Sequence, residues 1–289
     1  MNFQSVSDIG FKSLLSTLPK EKIKDIALLL TENERQRLEK VPFVSTDEIF
    51  SDSVSNYIDQ IHPSWIHYIF ENLGHKDLKL IISAFDIQKK DLEVLFKINI
   101  ENIEISPLAK NFIRNLAYSK LLQLKEPTFP VYALKEEPLF STLFLDKELF
   151  KNVIFGMGLF DLKDELNTLV DKVKLQTIKE GLDPQFCKFL KEISRDSNNL
   201  ISQPIGLNFW DGKIEELKTL LHHRGMNRIA KILSSHSSSF YWHFSLILSI
   251  EEAKLLKKLM VKSVDPQVVS SLSVQLEKTQ SFFKNSDEV

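Results

Sequence analysis

A chain of 289 residues is long enough for about two domains, and an apolar content of 43% with 21 phenylalanines can fill their cores. The 37 lysines and arginines nearly balance the 39 aspartates and glutamates, so the net charge of −2 gives no general attraction to nucleic acid, which we exclude as a partner. With eight glycines and one cysteine, Cys187, a glycine-rich α/β sheet is disfavoured and an intrachain disulfide is excluded.

Neither the longest apolar run nor the first residues of the sequence predict a membrane segment. The longest apolar run, residues 241–250, contains His243 and is too short to cross a bilayer. The first residues also lack the basic region and long apolar stretch of a signal peptide. We therefore expect a cytosolic protein that touches a membrane only indirectly, through a partner.

Three segments repeat one device, in which an apolar-periodic helix runs into a short polar turn that caps a second helix. In residues 26–38 the capping box is formed by Thr31 and Glu34, and in residues 245–256 by Ser249 and Glu252. In residues 80–92 the predicted N-cap is Asp86. Three further helix starts are predicted where a capping residue precedes proline, at Ser106-Pro107, Asp183-Pro184 and Asp265-Pro266. This pattern predicts a mainly α fold of stacked helical hairpins, either armadillo-like or a bundle.

Two stretches interrupt the helical pattern. Residues 125–138 contain three prolines, and residues that precede proline favour extended geometry. We therefore predict helical domains at residues 1–125 and 141–289, joined by a proline-rich linker at residues 126–140. Residues 198–210 are apolar without helical period and predict an ordered loop or a short strand pair, an extended insert that would divide the second half.

The two halves contain similar segments at residues 74–83 and 225–234, which align without gaps. Each opens with a glycine, Gly74 or Gly225, expected to end the preceding helix in left-handed conformation. The similarity favours either an internal repeat or two unrelated amphipathic helices separated by glycine, and the sequence leaves both open.

Residues that could carry chemistry are few. Gly156, Gly158 and Asp161 resemble the start of a dinucleotide fingerprint, but the third glycine is missing, and a turn between two helices explains them as well. The histidines lack a carboxylate or cysteine at metal-ligand spacing, and Cys187 lies in an apolar stripe typical of a small buried residue. We predict no catalytic residue, no metal and no cofactor.

A basic stripe follows Ser249, formed by Lys254, Lys257, Lys258 and Lys262. Such a stripe is typically a solvated helix face, and it could also meet an acidic partner surface.

The motif with most weight is Ile61-His62-Pro63-Ser64-Trp65-Ile66, which opens a run of helices to residue 98. Proline fixes the start of the helix, and a tryptophan in its first turn can anchor a core or a partner. Residues 57–98 resemble the middle armadillo-like domain of FliG-type rotor-switch proteins, in which a Glu-His-Pro-Gln helix start binds the next ring protein. They also resemble the His-Pro-Ser-Trp region of the SctK family of type III secretion accessory proteins.

His62 and Pro63 match the signature, whereas Ile61 stands for its glutamate and Ser64 for its glutamine. A looser similarity to the rotor-switch amino-terminal helices covers residues 225–260. The torque-generating charged helix of the flagellar family is not evident, which favours a secretion scaffold over a motor protein.

The resemblance implies a non-enzymatic cytoplasmic adaptor, peripheral to the inner membrane, that links the cytoplasmic domain of an inner-membrane ring protein to a pod or C-ring component. Its expected partner-binding residues are His62, Pro63 and Trp65 at one edge and Arg224, Arg228, Lys254 and Lys258 at another. On this reading Trp65→Ala weakens partner recruitment and leaves helical content intact. The alternatives are a helical-repeat effector or regulator, and an enzyme with an unrecognised nucleotide site.

Overall fold

The computed structural model describes residues 52–85, 87–98, 103–125, 128–195 and 204–286. Regular secondary structure in these ranges is entirely helical, which confirms a mainly α fold with packed helix-helix contacts. The predicted capping box of Thr31 and Glu34 and the predicted N-cap Asp86 lie outside the described residues. None of the described helices combines the length and the apolar content needed to cross a bilayer.

In the described residues, five α-helices precede the proline-rich segment: α1 (Asp52–Gln60), α2 (Pro63–Phe70), α3 (His75–Ser83), α4 (Lys89–Phe96) and α5 (Pro107–Gln123). Two 3-10 helices follow, Val131–Leu134 and Phe140–Phe144. The later helices are α6 (Lys147–Leu166), α7 (Lys172–Gly181), α8 (Pro184–Ile193), α9 (Ile214–Leu233), α10 (Ser238–Ile247), α11 (Ile250–Leu259) and α12 (Pro266–Ser286), with a 3-10 helix at Leu207–Phe209.

The helix starts predicted at proline are confirmed. The Ser106 side chain accepts a hydrogen bond from the Ala109 amide at 3.2 Å, and the Asp265 carboxylate accepts one from the Gln267 amide at 2.8 Å. Asp183 precedes α8 without such a bond. Helix α11 begins directly after Ser249, where the capping box predicted a start.

The described residues form two compact units. One contains residues 52–144 together with residues 242–249, and the other contains residues 145–241 together with residues 250–286. The segment predicted as a linker lies within the first unit, where Val131 and Leu134 are buried and the Val131 amide donates to the Tyr118 hydroxyl at 2.7 Å. Residues 242–249 enter this unit from the C-terminal half of the chain.

In the first unit, α2 packs against α4 and α5, α3 packs against α4, and α1 contacts α5 and both 3-10 helices. Gln88 caps the C-terminal end of α1, because its side-chain amide donates to the carbonyls of Asp59 at 3.0 Å and of Ile61. An ion pair of 2.8 Å between Asp59 and Arg114 joins α1 to α5.

In the second unit, the long helices α6 and α9 make the most extensive pairing, and α12 packs against both. Two glycines allow their close approach. A Cβ added at Gly158 on α6 would overlap the Leu221 carbonyl oxygen of α9, and one added at Gly225 would overlap the Ile154 carbonyl oxygen of α6. Each backbone therefore lies directly against the other.

The glycine predictions were wrong in this respect. Gly225 lies inside α9 and does not end a helix, and Gly74 is the N-cap of α3 with a φ of −68°. Gly156 and Gly158 likewise lie within α6 and not in a turn. Glycine is required at positions 158 and 225 because two helices pack closely there. The periodicity of the sequence does not distinguish a glycine at a helix crossing from a glycine at a helix end.

The close crossing predicts the effect of adding one methyl group. Gly158→Ala or Gly225→Ala should lower the free energy of unfolding by about 2 kcal/mol or more, because the backbone clash outweighs the higher helix propensity of alanine. Chemical denaturation followed by circular dichroism measures the change. Gly74→Ser is the control, since a Cβ there meets no atom within 4 Å and serine is a good N-cap, so its effect should stay within about 0.5 kcal/mol. Equal stability of Gly225→Ala and the parent chain would contradict the crossing.

Candidate functional site

The His62-Pro63-Trp65 motif holds the first unit together. The His62 amide donates to the Leu246 carbonyl at 2.8 Å, and the Trp65 indole nitrogen donates to the Leu248 carbonyl at 2.9 Å. The Trp65 ring also packs edge-on against Trp242 at a centroid distance of 5.3 Å. The motif thus binds residues 242–249 of its own chain.

This placement corrects the predicted docking edge. Pro63 and Trp65 are buried, and His62 is the N-cap of α2, with its Nδ1 accepting from the Ser64 amide at 3.2 Å. A partner cannot reach a buried indole without opening the unit. Trp65 is an anchoring residue, as the pattern predicted, but it anchors residues 242–249 of the same chain and not a partner.

The arginines predicted for the second edge are also used internally. Arg228 is buried and pairs with the equally buried Asp161, and its Nη1 donates to the Gln275 side chain at 2.5 Å, which ties α6, α9 and α12 together. The side chain of Arg224 is mostly buried, and its Nη2 donates to the Pro204 carbonyl at 3.1 Å. A buried ion pair of this kind is costly to break, so Arg228 is not available for docking, whereas Arg224 keeps part of its side chain exposed.

The lysines of that edge are on the surface, as predicted. Lys254 is exposed and lies 2.7 Å from the Glu251 carboxylate one turn earlier on α11, and Lys258 is exposed on the same helix. Exposed pairs of this kind contribute little to stability. This part of the predicted surface remains accessible to an acidic partner.

The second unit holds its loop before α9 through Glu165 and Lys174. The Glu165 carboxylate accepts from the amides of Ile205, Gly206 and Leu207, and Gly206 adopts the left-handed conformation (φ 85°) that this tight turn requires. Lys174 donates to the Asn208 carbonyl at 2.8 Å. The described part of the predicted insert, residues 204–210, is therefore an ordered loop with one 3-10 turn, and residues 198–203 lie outside the described residues.

The structure places the candidate metal, thiol and phosphate-binding groups of the described ranges. No group of three or more histidine, cysteine, aspartate or glutamate side chains in the described ranges could hold a metal ion. Burial raises the pKa of the Cys187 thiol, which opposes the thiolate form that a nucleophile needs. Gly158 lies within α6 and packs against Leu221 of α9, and Asp161 is paired with Arg228. The partial dinucleotide motif therefore does not present a phosphate site.

A groove of about 460 Å³ lies in the second unit, where Phe155, Leu182 and Phe186 line it together with a larger number of polar and charged residues. Two contacts between polar side chains lie along it, because Lys151 Nζ lies 3.0 Å from the Glu148 carboxylate and His222 Nε2 lies 3.4 Å from the Glu252 carboxylate. The groove has the size of a small-ligand pocket.

His243 is buried in the first unit and keeps one polar atom without a partner there. Its Nε2 lies 2.8 Å from the Phe129 carbonyl and must donate to it, whereas its Nδ1 is buried without a hydrogen-bond partner among the described residues. The ring packs against Tyr57 at 5.1 Å. Burial lowers the pKa of His243 to about 4, so the ring is neutral at neutral pH.

Two exposed apolar surfaces lie in the first unit. The first, called here the α3–α4 apolar surface, consists of Leu80, Ile87, Val94 and Leu95, of which Ile87 and Val94 are 67% and 76% exposed. The second, called the α5 stripe, consists of Leu108, Phe112 and Leu116 at a spacing of four residues. Exposed apolar side chains on neighbouring elements of a unit are candidate interaction sites.

The sequence did not reveal these surfaces. The i, i+4 spacing of Leu108, Phe112 and Leu116 is visible in it, but α5 is apolar on more than one face. The other apolar face of α5 contains Ala117, Tyr118 and Leu121, and it is this face that packs in the core. Periodicity alone does not decide which apolar face is covered.

The chain has no match among known protein families, curated proteins or solved structures. The resemblance of residues 57–98 to FliG-type and SctK proteins therefore stays a prediction.

The internal role of the motif changes the expected effect of Trp65→Ala. Removing the ring leaves a cavity against Trp242 and the Leu248 carbonyl without its donor, so the free energy of unfolding should fall by about 3–5 kcal/mol. Equilibrium denaturation measures it. Tyr68→Ala on the same helix is the control, because Tyr68 is half exposed and should cost less than about 1 kcal/mol. Equal stability of Trp65→Ala and Tyr68→Ala would contradict the internal role of Trp65 and support a role at the surface.

The pKa of His243 predicts a loss of stability in acid. Because the folded-state pKa of about 4 lies below the ordinary 6.5, the unfolded chain binds an extra proton as pH falls through this window. The stabilisation is complete above pH 6.5, and about 3 kcal/mol of it is lost as pH falls to 4. Denaturation at several pH values should show the stability gap between the parent chain and His243→Gln narrowing in acid. A gap that is independent of pH would refute this.

Proposed function

We propose that this protein is a non-enzymatic helical adaptor at the cytoplasmic face of a type III secretion apparatus. It links the cytoplasmic domain of an inner-membrane ring protein to a pod or C-ring component. The observation that carries the proposal is the α3–α4 apolar surface, which lies inside residues 57–98, the segment that resembles ring-docking domains.

The docking residues are those of α3 and α4 and not those of the α2 start. Because Pro63 and Trp65 are used to hold residues 242–249, the segment can meet a partner only through its exposed side chains. Ile87 lies in the turn before α4 and Val94 lies on α4, and both are well exposed, so an apolar helix or groove of a partner can pack against them.

A second surface supports the linking role. Lys254 and Lys258 on α11 belong to the other unit and are exposed. One surface is aliphatic and the other is basic, so two partners of different chemistry can be bound: the first contact should resist salt, and the second should weaken with it. This division assigns one partner to each unit.

The effector or regulator alternative shares the α3–α4 surface and differs only in its partner. The enzyme alternative has less support, because the glycines that suggested a nucleotide site are occupied by helix packing.

The proposal predicts that Val94→Asp abolishes capture of one ring or pod component. A charge in the middle of an apolar contact should weaken binding at least about tenfold, or about 1.4 kcal/mol. The measurement is affinity capture from the native host with secretion-apparatus proteins quantified by mass spectrometry. Val173→Asp on α7 is the matched control, since Val173 is a valine of equal exposure in the other unit.

The expected result is loss of that component with Val94→Asp and retention with Val173→Asp. Recovery of housekeeping or host proteins in place of secretion components would support the effector or regulator alternative. Unchanged capture by Val94→Asp would remove the α3–α4 surface from the proposal.

A further inference from the structure

We infer that the α5 stripe is the contact between two copies of this chain, packed antiparallel about a two-fold axis at Phe112. This inference concerns a surface that the proposed adaptor contacts do not use. It rests on the exposure of α5 and on the self-complementarity of its sequence.

Helix α5 presents an apolar row to solvent on the side opposite its packed face. The packed face contains Ala117, Tyr118 and Leu121, which are buried. The row contains Leu108, Phe112 and Leu116, which are 81%, 67% and 41% exposed. A surface helix normally has one apolar face, which packs on the core. A second, exposed apolar row on the same helix is expected where another helix covers that row.

The exposed side chains beside the row are almost free of charge. Asn111, Asn115, Ser119 and Gln123 are neutral, and Lys120 is the one charged residue on the exposed face of α5. Two copies can therefore approach along this face without bringing like charges together. A strongly charged partner would find almost nothing on it to pair with.

The antiparallel arrangement also satisfies that lysine. About an axis at Phe112, residues equally distant from it on the two copies meet. Leu108 then meets Leu116, four residues to either side, and Lys120 extends toward the non-helical segment before α5 that contains Glu104. Glu104 is exposed and lies just before the helix, so each end of the contact gains an ion pair of opposite charges. Antiparallel helices also align their dipoles favourably.

The size of the contact sets its strength. Helix α5 has 17 residues and is about 26 Å long, so one helix pair buries less than the roughly 800 Å² per partner of a standard stable interface. The dimer should therefore form reversibly with rising protein concentration. A permanent dimer is not expected from this surface alone.

The first experiment measures oligomeric state in the full chain. Analytical ultracentrifugation over two decades of concentration should show the parent chain passing from monomer to dimer, and Phe112→Asp should remain monomeric, with its dimer dissociation constant raised at least about tenfold. Phe209→Asp is the control, because Phe209 is 95% exposed in the other unit, and it should dimerise like the parent. Circular dichroism of each variant verifies that its helices are intact.

The second experiment tests the register. Lys120→Glu and Glu104→Lys should each weaken self-association, because each alone places like charges at both ends of the contact. Mixed together, the two variants should restore the dimer, since both ends of the mixed pair again join glutamate to lysine. This rescue is specific to the antiparallel register about Phe112.

Three outcomes would overturn the inference: a parent chain that is monomeric at every concentration, a Phe112→Asp variant that dimerises like the parent, or a mixture that fails to restore the dimer. None of these outcomes concerns the α3–α4 surface. Capture of secretion components by Val94 variants is read separately, so failure of the dimer and failure of the adaptor proposal are distinguishable.

Discussion

The first unit depends on hydrogen bonds to a segment that lies far along the chain. Tyr57 and Trp65 donate to the carbonyls of His243 and Leu248, which are 186 and 183 residues away in sequence. Residues 242–249 also donate a hydrogen bond in the opposite direction, from the Trp242 indole nitrogen to the Leu121 carbonyl at 3.2 Å. These contacts close a very long loop, so their entropy cost is met only when the core around them forms as well. The described helices before residue 145 therefore depend on residues 242–249 to complete their unit.

The second unit is organised by contact between backbones. Gly158 and Gly225 bring α6 and α9 together so closely that side chains are excluded at the crossing. At such short separation, packing contacts are dense and the pair tolerates few substitutions. The buried pair of Asp161 and Arg228 lies on the same two helices and fixes their alignment, because a slip would leave both charges buried without a partner.

These constraints decide which residues remain for function. The motif at His62 stabilises the first unit and the arginines of α9 stabilise the second, whereas exposed aliphatic residues and lysines of the described ranges are surfaces that a partner can reach. Exposed surfaces of this kind are typical of protein-binding sites. The aliphatic surface and the basic surface belong to different units, so a substitution can impair one contact and spare the other.

Local chemistry in the sequence determined the helices and their starts, because capping at Ser106 and Asp265 depends on neighbouring residues alone. The same applies to the mainly α class, which follows from periodicity and low glycine content. The sequence could not show that Gly225 serves a helix crossing, that Trp65 faces Leu248, or that α5 turns Phe112 to solvent. Each of these depends on which distant segment covers a given face, and that choice is made by the packing of the whole unit.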